Sequence, residues 1–281
     1  MTELEPSPVR RALRVWYAPR RSRYPWRTDP PDPYAVLVSE VMLQQTQASR
    51  VAPLFERFLD RFPDVRALAR ASRADVVRAW AGLGYHRRAV ALHAAARTLV
   101  ERFGGSVPAD PADLRSLPGV GPYTSAAVAS IAYGVPVVAM DVNVRRVVSR
   151  VTMCDDRDLP DAALRLLDRT DPGSWHQAVM DLGREICRPA PRCERCPLAE
   201  RCRSRGSAVS RRASRPQARF EGSNREARGR VLAVLRDRGS AGAAGLARAA
   251  GLPAARVDPA LAGLVRDGLV ERHGRSYRLP R

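Results

Sequence analysis

Three stretches of this 281-residue chain carry residue types that could do chemistry. The first is "YAVLVSEVMLQQTQ", residues 34 to 47, in which only Ser39 and Glu40 are polar between Ala35 and Leu43. A carboxyl surrounded by Val38, Val41, Met42 and Leu43 is desolvated, which raises its pKa and favours the proton-bearing form. The second is Asp141 in "VVAMDVNVRRVVSRV", placed where a helix begins and where the helix dipole favours an ionised carboxylate. The third is "CRPAPRCERCPLAERC", which holds Cys187, Cys193, Cys196 and Cys202. Four thiolates in so short a run suit one tetrahedral metal or one cubane cluster, and spacing alone does not choose between zinc and iron–sulfur. Each feature also has an ordinary explanation: a core glutamate with a buried arginine partner, an N-cap aspartate, a structural metal knuckle. Cys154, outside the run, reads as a small buried hydrophobe.

The elements that must position these residues are mainly helical. Asp32-Pro33 reads as an N-cap followed by proline in the first turn, and the run after it is apolar nearly all round, the pattern of a buried helix. "PLFERFLDRF", "ADVVRAWAGLG", "RRAVALHAAARTLVERFGG" and "DAALRLLDRT" have helical spacing and end in Gly, Pro or Asp. "LPGVGPYTSAAV" joins two helical patterns through Gly119, Val120 and Gly121, where a close backbone approach and the free amides of a helix start could hold a phosphate. Residues 203–224 are rich in Arg and Ser and read as a basic, flexible linker. Beyond them "REARGRVLAVLRDRG", "GLARAAGL" and "DPALAGLVRDGL" read as three helices, and "VERHGRSYRL" as a hairpin turning at His273-Gly274. Three helices and a hairpin resemble a winged helix, whose third helix often enters the DNA major groove and which can equally dock on protein.

Composition narrows the partner. The formal net charge is +19, from 48 basic against 29 acidic residues, and every basic residue is arginine. Such a field favours a polyanion, with nucleic acid the leading candidate and an arginine-rich surface without a partner the alternative. No lysine is available for Schiff-base chemistry. Neither a signal-peptide pattern nor a membrane-spanning run is evident, so a cytoplasmic, nucleoid-associated protein with reduced cysteines is expected, monomeric by default.

In their order along the chain, the "LPGVG" hairpin, the aspartate after it and the four-cysteine loop resemble the endonuclease III superfamily of helix-hairpin-helix DNA glycosylases. Within it, "VSEVMLQQTQ", "GLGYHRRAVALH", "LPGVGPYT" and "DVNVRRV" look like the MutY-type adenine glycosylases, which remove adenine mispaired with 8-oxoguanine or guanine. The resemblance covers residues from about 10 to 202. It implies a mainly α glycosylase fold: a catalytic domain at 1–202, with a six-helix barrel at 27–136 and a cluster module from 1–26 and 137–202, then the linker and a winged-helix-like domain at 225–281.

By the same resemblance Glu40 matches the general acid that protonates adenine, and Asp141 the carboxylate that stabilises the positive sugar. Tyr123 stands where bifunctional relatives carry the strand-cleaving lysine. Trp26 and Arg27 match residues near the adenine pocket, while Gln45, Thr46 and Tyr85 match residues that wedge into the duplex. Gly119, Val120 and Gly121 would grip the backbone. Asp181 lies where relatives often have a glutamate facing the base. Cys187, Cys193, Cys196 and Cys202 match the ligands of a [4Fe-4S] cluster. Four departures stand out: five residues rather than six between the first two cysteines, Val142 where glycine is common, His86 for a frequent second tyrosine, and the winged-helix-like segment in place of a Nudix-like domain.

The implied reaction is hydrolysis of an N-glycosidic bond through an oxocarbenium-like sugar. It needs one carboxyl protonated near neutral pH and another charged, the pairing known from glycoside hydrolysis. The base must leave the stack first, which costs a few kcal/mol. The expectation is a monofunctional enzyme leaving an abasic site. Two other readings stand beside it: a thymine or uracil glycosylase acting opposite guanine, against which "MLQQTQ" argues, and a non-catalytic DNA-binding regulator with a redox-sensing cluster, against which Glu40, Tyr123 and Asp141 argue.

Overall fold

The computed structural model describes residues 5–205 and 219–280. The first helices are α1 (Pro6–Tyr17), α2 (Pro33–Leu43), α3 (Ala48–Arg61), α4 (Val65–Arg70), α5 (Arg73–Ala79) and α6 (Arg87–Phe103). They are followed by α7 (Pro111–Arg115), α8 (Pro122–Tyr133), α9 (Val142–Thr152), α10 (Leu159–Leu166) and α11 (Pro172–Glu185). The C-terminal part holds α12 (Asn224–Arg238), β1 (Ser240–Gly242), α13 (Ala243–Ala250), α14 (Ala254–Arg266), β2 (Glu271–His273) and β3 (Ser276–Arg278). No helix among the described residues is long and apolar enough to cross a membrane.

The chain folds into two compact units, each drawn from two stretches of sequence. One lies within Met1–Gln44 and Val107–Arg211, the other within Gln45–Ser106 and Arg212–Arg281. In the first, α2 packs on α8, and α11 packs on α1, α8 and α9. Asp32 caps α2 by accepting from Tyr34 N at 2.9 Å, with Pro33 in the first turn as expected. Every residue of α2 from Tyr34 to Met42 is buried, so no solvent face exists and the apolar run is explained by packing on all sides. The aliphatic core of this unit is built from Leu13 and Tyr17 of α1, Val144 and Val148 of α9, Leu166 of α10 and Trp175 and Leu182 of α11. The partly buried Cys187, Cys196 and Cys202 pack against it.

In the second unit, amphipathic α3 buries Val51, Phe55 and Phe58, and Phe58 meets Trp80 edge-on with centroids 5.8 Å apart. The C-terminal helices share one core with α5: Ala74 and Val77 pack with Val231, Leu232, Leu235, Leu261 and Leu264, and Val90 of α6 packs against the same cluster. The expected hairpin is present and gains a partner that sequence patterning did not show. The sheet has the order β1-β3-β2, antiparallel throughout, with Tyr277 opposite both Arg272 and Ala241. Of the stretch read as a linker, residues 206–218 lie outside the described residues. Its end forms the start of α12, where Ser223 accepts from Glu226 N and Glu226 accepts from Gly222 N, a variant of the capping box.

The third C-terminal helix begins earlier than "DPAL" suggests, at Ala254, because Val257 belongs to its buried face. Its exposed residues include Ala255, Asp258, Pro259 and Ala262, while Arg256 is turned to Glu226 at 3.0 Å. Arg266, in its last turn, is exposed as well.

Candidate active site

Glu40 lies in the buried middle of α2 and is 6 % exposed. Burial pushes its carboxyl up to about 7; the hydrogen bond from Tyr123 acts the other way, and the nearby charge of Asp141 adds to the rise. The ordinary explanation of a buried glutamate, an arginine partner, fails here for an observable reason. The nearest cation, Arg27, is taken by Asp181, whose two oxygens receive Arg27 Nη1 and Nη2 at 2.9 Å each. Arg184 Nη2 adds a third bond to Asp181 at 2.7 Å. Glu40 forms no ion pair among the described residues, so burial rather than a cation sets its protonation, and it stays protonated up to about pH 7.

Glu40, Trp26, Arg27, Ser39, Leu43 and Asp181 line one cleft of about 460 Å³, open to solvent. Trp26 stacks on Tyr24, with centroids 4.8 Å apart and planes 2° from parallel, and the Arg27 guanidinium lies 4.9 Å from the Tyr24 ring. Asp181 lines the cleft, as its position in the resemblance implies, and its oxygens hold Arg27 beside it. Tyr123, in the first turn of α8, places its hydroxyl within reach of Glu40 and 3.3 Å from Met180 Sδ.

Asp141 is the N-cap of α9, its Oδ1 accepting from Val144 N at 2.6 Å and Oδ2 from Asn143 Nδ2 at 2.7 Å. The expectation that a helix start alone sets its charge needs correction. Burial raises the Asp141 pKa above the usual carboxylate value, and the donors from Val144 and Asn143 only partly oppose it. Asn143 in turn accepts from Arg146 Nη2 at 2.7 Å, and Arg146 also donates to Gly183 O at 2.8 Å and Cys187 O at 2.6 Å. Val142 is 72 % exposed and fits the turn without a glycine.

All four loop cysteines line a second, small and almost wholly apolar cavity with Val147, Leu182 and Leu198. No three metal-binding groups among the described residues stand close enough to share a single ion. Four thiols around one apolar cavity suit either a tetrahedral ion or a cubane cluster. Arg150, 5 % exposed, seals the tightened loop: Nη1 donates to Arg188 O at 2.6 Å and lies 3.4 Å from Cys187 Sγ, and Nη2 donates to Pro189 O at 3.0 Å.

In the hairpin, Gly119 has φ +79°, a conformation that favours glycine. Val120 is 7 % exposed and its N–H bonds to Leu117 O at 3.1 Å, so this residue anchors the hairpin from inside. Gly119 and Gly121 have no such bond among the described residues, which leaves their amides for a phosphate. Gln45, Thr46 and Tyr85 belong to the second unit. Gln45 and Tyr85 have φ of +56° and +44°, values uncommon for residues with a side chain. Thr46 accepts from Arg88 Nη2 at 3.0 Å, and the Arg88 guanidinium sits 5.5 Å from the Tyr85 ring.

The arrangement matches known proteins. A model described as the HhH-GPD superfamily base excision DNA repair protein matches residues 38–172. An adenine DNA glycosylase of Mycolicibacterium smegmatis is 41% identical over 276 residues, covering 95% of this chain and 93% of the relative. The chain belongs to the adenine DNA glycosylase family. Among solved structures it resembles a thermostable thymine-DNA glycosylase, with TM-score 0.64, 26% identity and coverage of 70% of this chain and 95% of that one. A non-covalent endonuclease III–DNA complex follows the same fold at TM-score 0.59 and 24% identity, covering 71% and 96%.

For this adenine DNA glycosylase family member, sequence reasoning missed the residues that hold the reactive ones. Asn143, Arg146 and Gly183 support Asp141. Gly183 has a visible cause, because a Cβ there would lie 2.6 Å from Asn143 Cβ. His176, fully buried, accepts from Ala139 N at 2.8 Å through Nε2 and meets Pro172 O and Ser130 Oγ through Nδ1. It fastens the segment that leads into Asp141. None of these has a motif of its own; "DVNVRR" was the only signal that pointed to Asn143 and Arg146.

Proposed function

We propose that the chain excises adenine mispaired with 8-oxoguanine or guanine in DNA, by hydrolysis of the N-glycosidic bond, and leaves an abasic site. The observation that carries this reading is Glu40: buried, without an arginine partner, and held up to about 7. The extruded adenine would enter the cleft beside Trp26 and Arg27, and Glu40 would donate its proton to a ring nitrogen as the bond to the sugar lengthens. The base then leaves with the bonding electron pair, and the positive charge on the sugar falls to Asp141 in its ionised form. Deprotonated Glu40 can next take a proton from the water that attacks the sugar. Tyr123 keeps Glu40 oriented. With no lysine in the chain, strand cleavage through a lysine Schiff base is excluded.

Cys187, Cys193, Cys196 and Cys202 would hold a [4Fe-4S] cluster, in keeping with the cavity they line. Bound there, the cluster would cross-link the loop through the four thiolates. Gln45, Thr46 and Tyr85 would enter the duplex near the opposite base, and the amides of Gly119 and Gly121 would hold its backbone.

The test is a panel of duplexes with adenine opposite 8-oxoguanine, guanine or cytosine and with thymine or uracil opposite guanine, each treated with alkali after incubation. Adenine release from the first two alone is expected, with no nick before alkali. Release of thymine or uracil instead would assign the chain to the specificity named for its structural relative, and tight binding without release would make it a regulator. Glu40→Gln and Asp141→Asn should each abolish turnover and leave binding largely intact. The purified protein should absorb near about 400 nm, as thiolate-ligated iron does; a colourless zinc protein would refute the cluster.

A further inference from the structure

The loop that presents Tyr85 is strained and is held from two sides within its own unit. Gly82, Gly84 and Tyr85 have φ of +92°, +70° and +44°. Glycine adopts such values freely, whereas Tyr85 keeps its own only where the surroundings over-determine it. On one side, Trp80 Nε1 donates to Gly84 O at 3.1 Å, and Arg88 Nη2 donates to Leu83 O at 3.3 Å and Gly84 O at 3.2 Å. On the other side stand the C-terminal helices. Asp267, at the end of α14, receives Arg228 of α12 on Oδ2 and has Arg87, two residues after Tyr85, 3.7 Å from Oδ1.

The neighbouring contacts repeat this connection. Ala74 N donates to Pro280 O at 2.9 Å, and Arg73 Nη1 to Gly268 O at 3.5 Å. His86, next to Tyr85, has its Nε2 buried without a hydrogen-bond partner. Burial holds its imidazole down at about 4, and the charges of Arg236 and Arg228 on α12 contribute to the depression. A neutral, half-buried imidazole thus sits beside Tyr85 and within the field of the α12 arginines.

From this geometry we infer that the C-terminal segment 224–280 is a positioning element for the Tyr85 loop, with Asp267 and His86 as its positioning residues. It acts on recognition of the base opposite adenine by fixing how Tyr85 is presented to the duplex. The inference rests on the duplex-entering role proposed above for Tyr85. An ordinary small domain packed on the surface would stabilise the protein and leave Tyr85 indifferent to Asp267.

A double-mutant cycle on the full-length protein separates the two. Tyr85→Ala, Asp267→Asn and their combination are compared for affinity and single-turnover adenine release with adenine opposite 8-oxoguanine and opposite cytosine. Tyr85→Ala and Asp267→Asn should each reduce the preference for 8-oxoguanine by about tenfold, and Asp267→Asn should add nothing once Tyr85 is gone. His86→Ala, which loosens the seat from the loop side, should follow Asp267→Asn and keeps the test valid if that variant folds poorly. If Tyr85→Ala alone changes nothing, the role given to Tyr85 falls and the inference with it. If Tyr85→Ala is damaging while both positioning variants are silent, or their effects simply add to it, the inference alone is overturned.

Discussion

Glu40 and Asp141 are both pushed above their ordinary values by burial, and what separates them is their partners. Asp141 accepts from two donors that favour its charge, while Glu40 has a single tyrosine hydroxyl. The reaction requires Glu40 protonated and Asp141 ionised, so the single-turnover rate should rise with pH as Asp141 ionises and fall as pH passes through about 7, where Glu40 loses its proton. A rate that stayed flat from pH 6 to pH 9 (roughly, one to two units either side of that value) would remove Glu40 from the role of acid. Gly183 offers a second test that touches no reacting group. A methyl placed there must displace Asn143, and through it the bond to Asp141 Oδ2. Gly183→Ala should slow chemistry on the order of tenfold to a hundredfold, as small misplacements do, with DNA affinity nearly unchanged. An equal loss in both would point to general misfolding instead.

At the scale of elements, the approach to Asp141 depends on α8 and α11 through His176. Burial holds the His176 imidazole at about 4, below its usual value. Its folded-state pKa is therefore depressed, and the stability it contributes is complete above about 6.5 and is lost as pH falls towards about 4. The loss over that window is about 3 kcal/mol. His176→Gln should be less stable at pH 7 by about 1–3 kcal/mol and should show a shallower acid-side decline in denaturant midpoint; the decline that remains is shared by His86 and His93, both held below their usual value by burial, and at lower pH by Asp75 and Asp168, whose carboxyls are also held below theirs. An unchanged slope would mean that His176 is not the neutral anchor described. The helices themselves were largely legible in the sequence, because α2 announces itself by the Asp32 cap, α6 by the glycine stop at Gly104, and both α3 and α6 by apolar spacing. The supports were not. His176 and Arg150 act through bonds to backbone carbonyls and amides far away in sequence, and no local pattern encodes such a partner. Glu40 and the cysteine loop were legible for the opposite reason: a carboxyl in an apolar helix and four clustered thiols are costly unless used.

For the molecule as a whole, patterning located the three C-terminal helices but not what they pack on, since an apolar stripe records that a face is buried and is silent about its partner. The structure supplies the partner. Val231, Leu235 and Leu264 share one cluster with Ala74 and Val77, although the two stretches lie far apart along the chain. Residues in one core lose stability together. Leu235 is fully buried, and Leu235→Ala should cost about 2–5 kcal/mol through lost burial and a residual cavity. Amide exchange then distinguishes a shared core from a tethered module. In a shared core, the substitution lowers protection in α5 and α6 as much as in α12 and α14, because opening one exposes the other. In a tethered module the loss would stop at the C-terminal helices and leave α5 and α6 at their original protection, and the buttress proposed for the Tyr85 loop would have no mechanical basis.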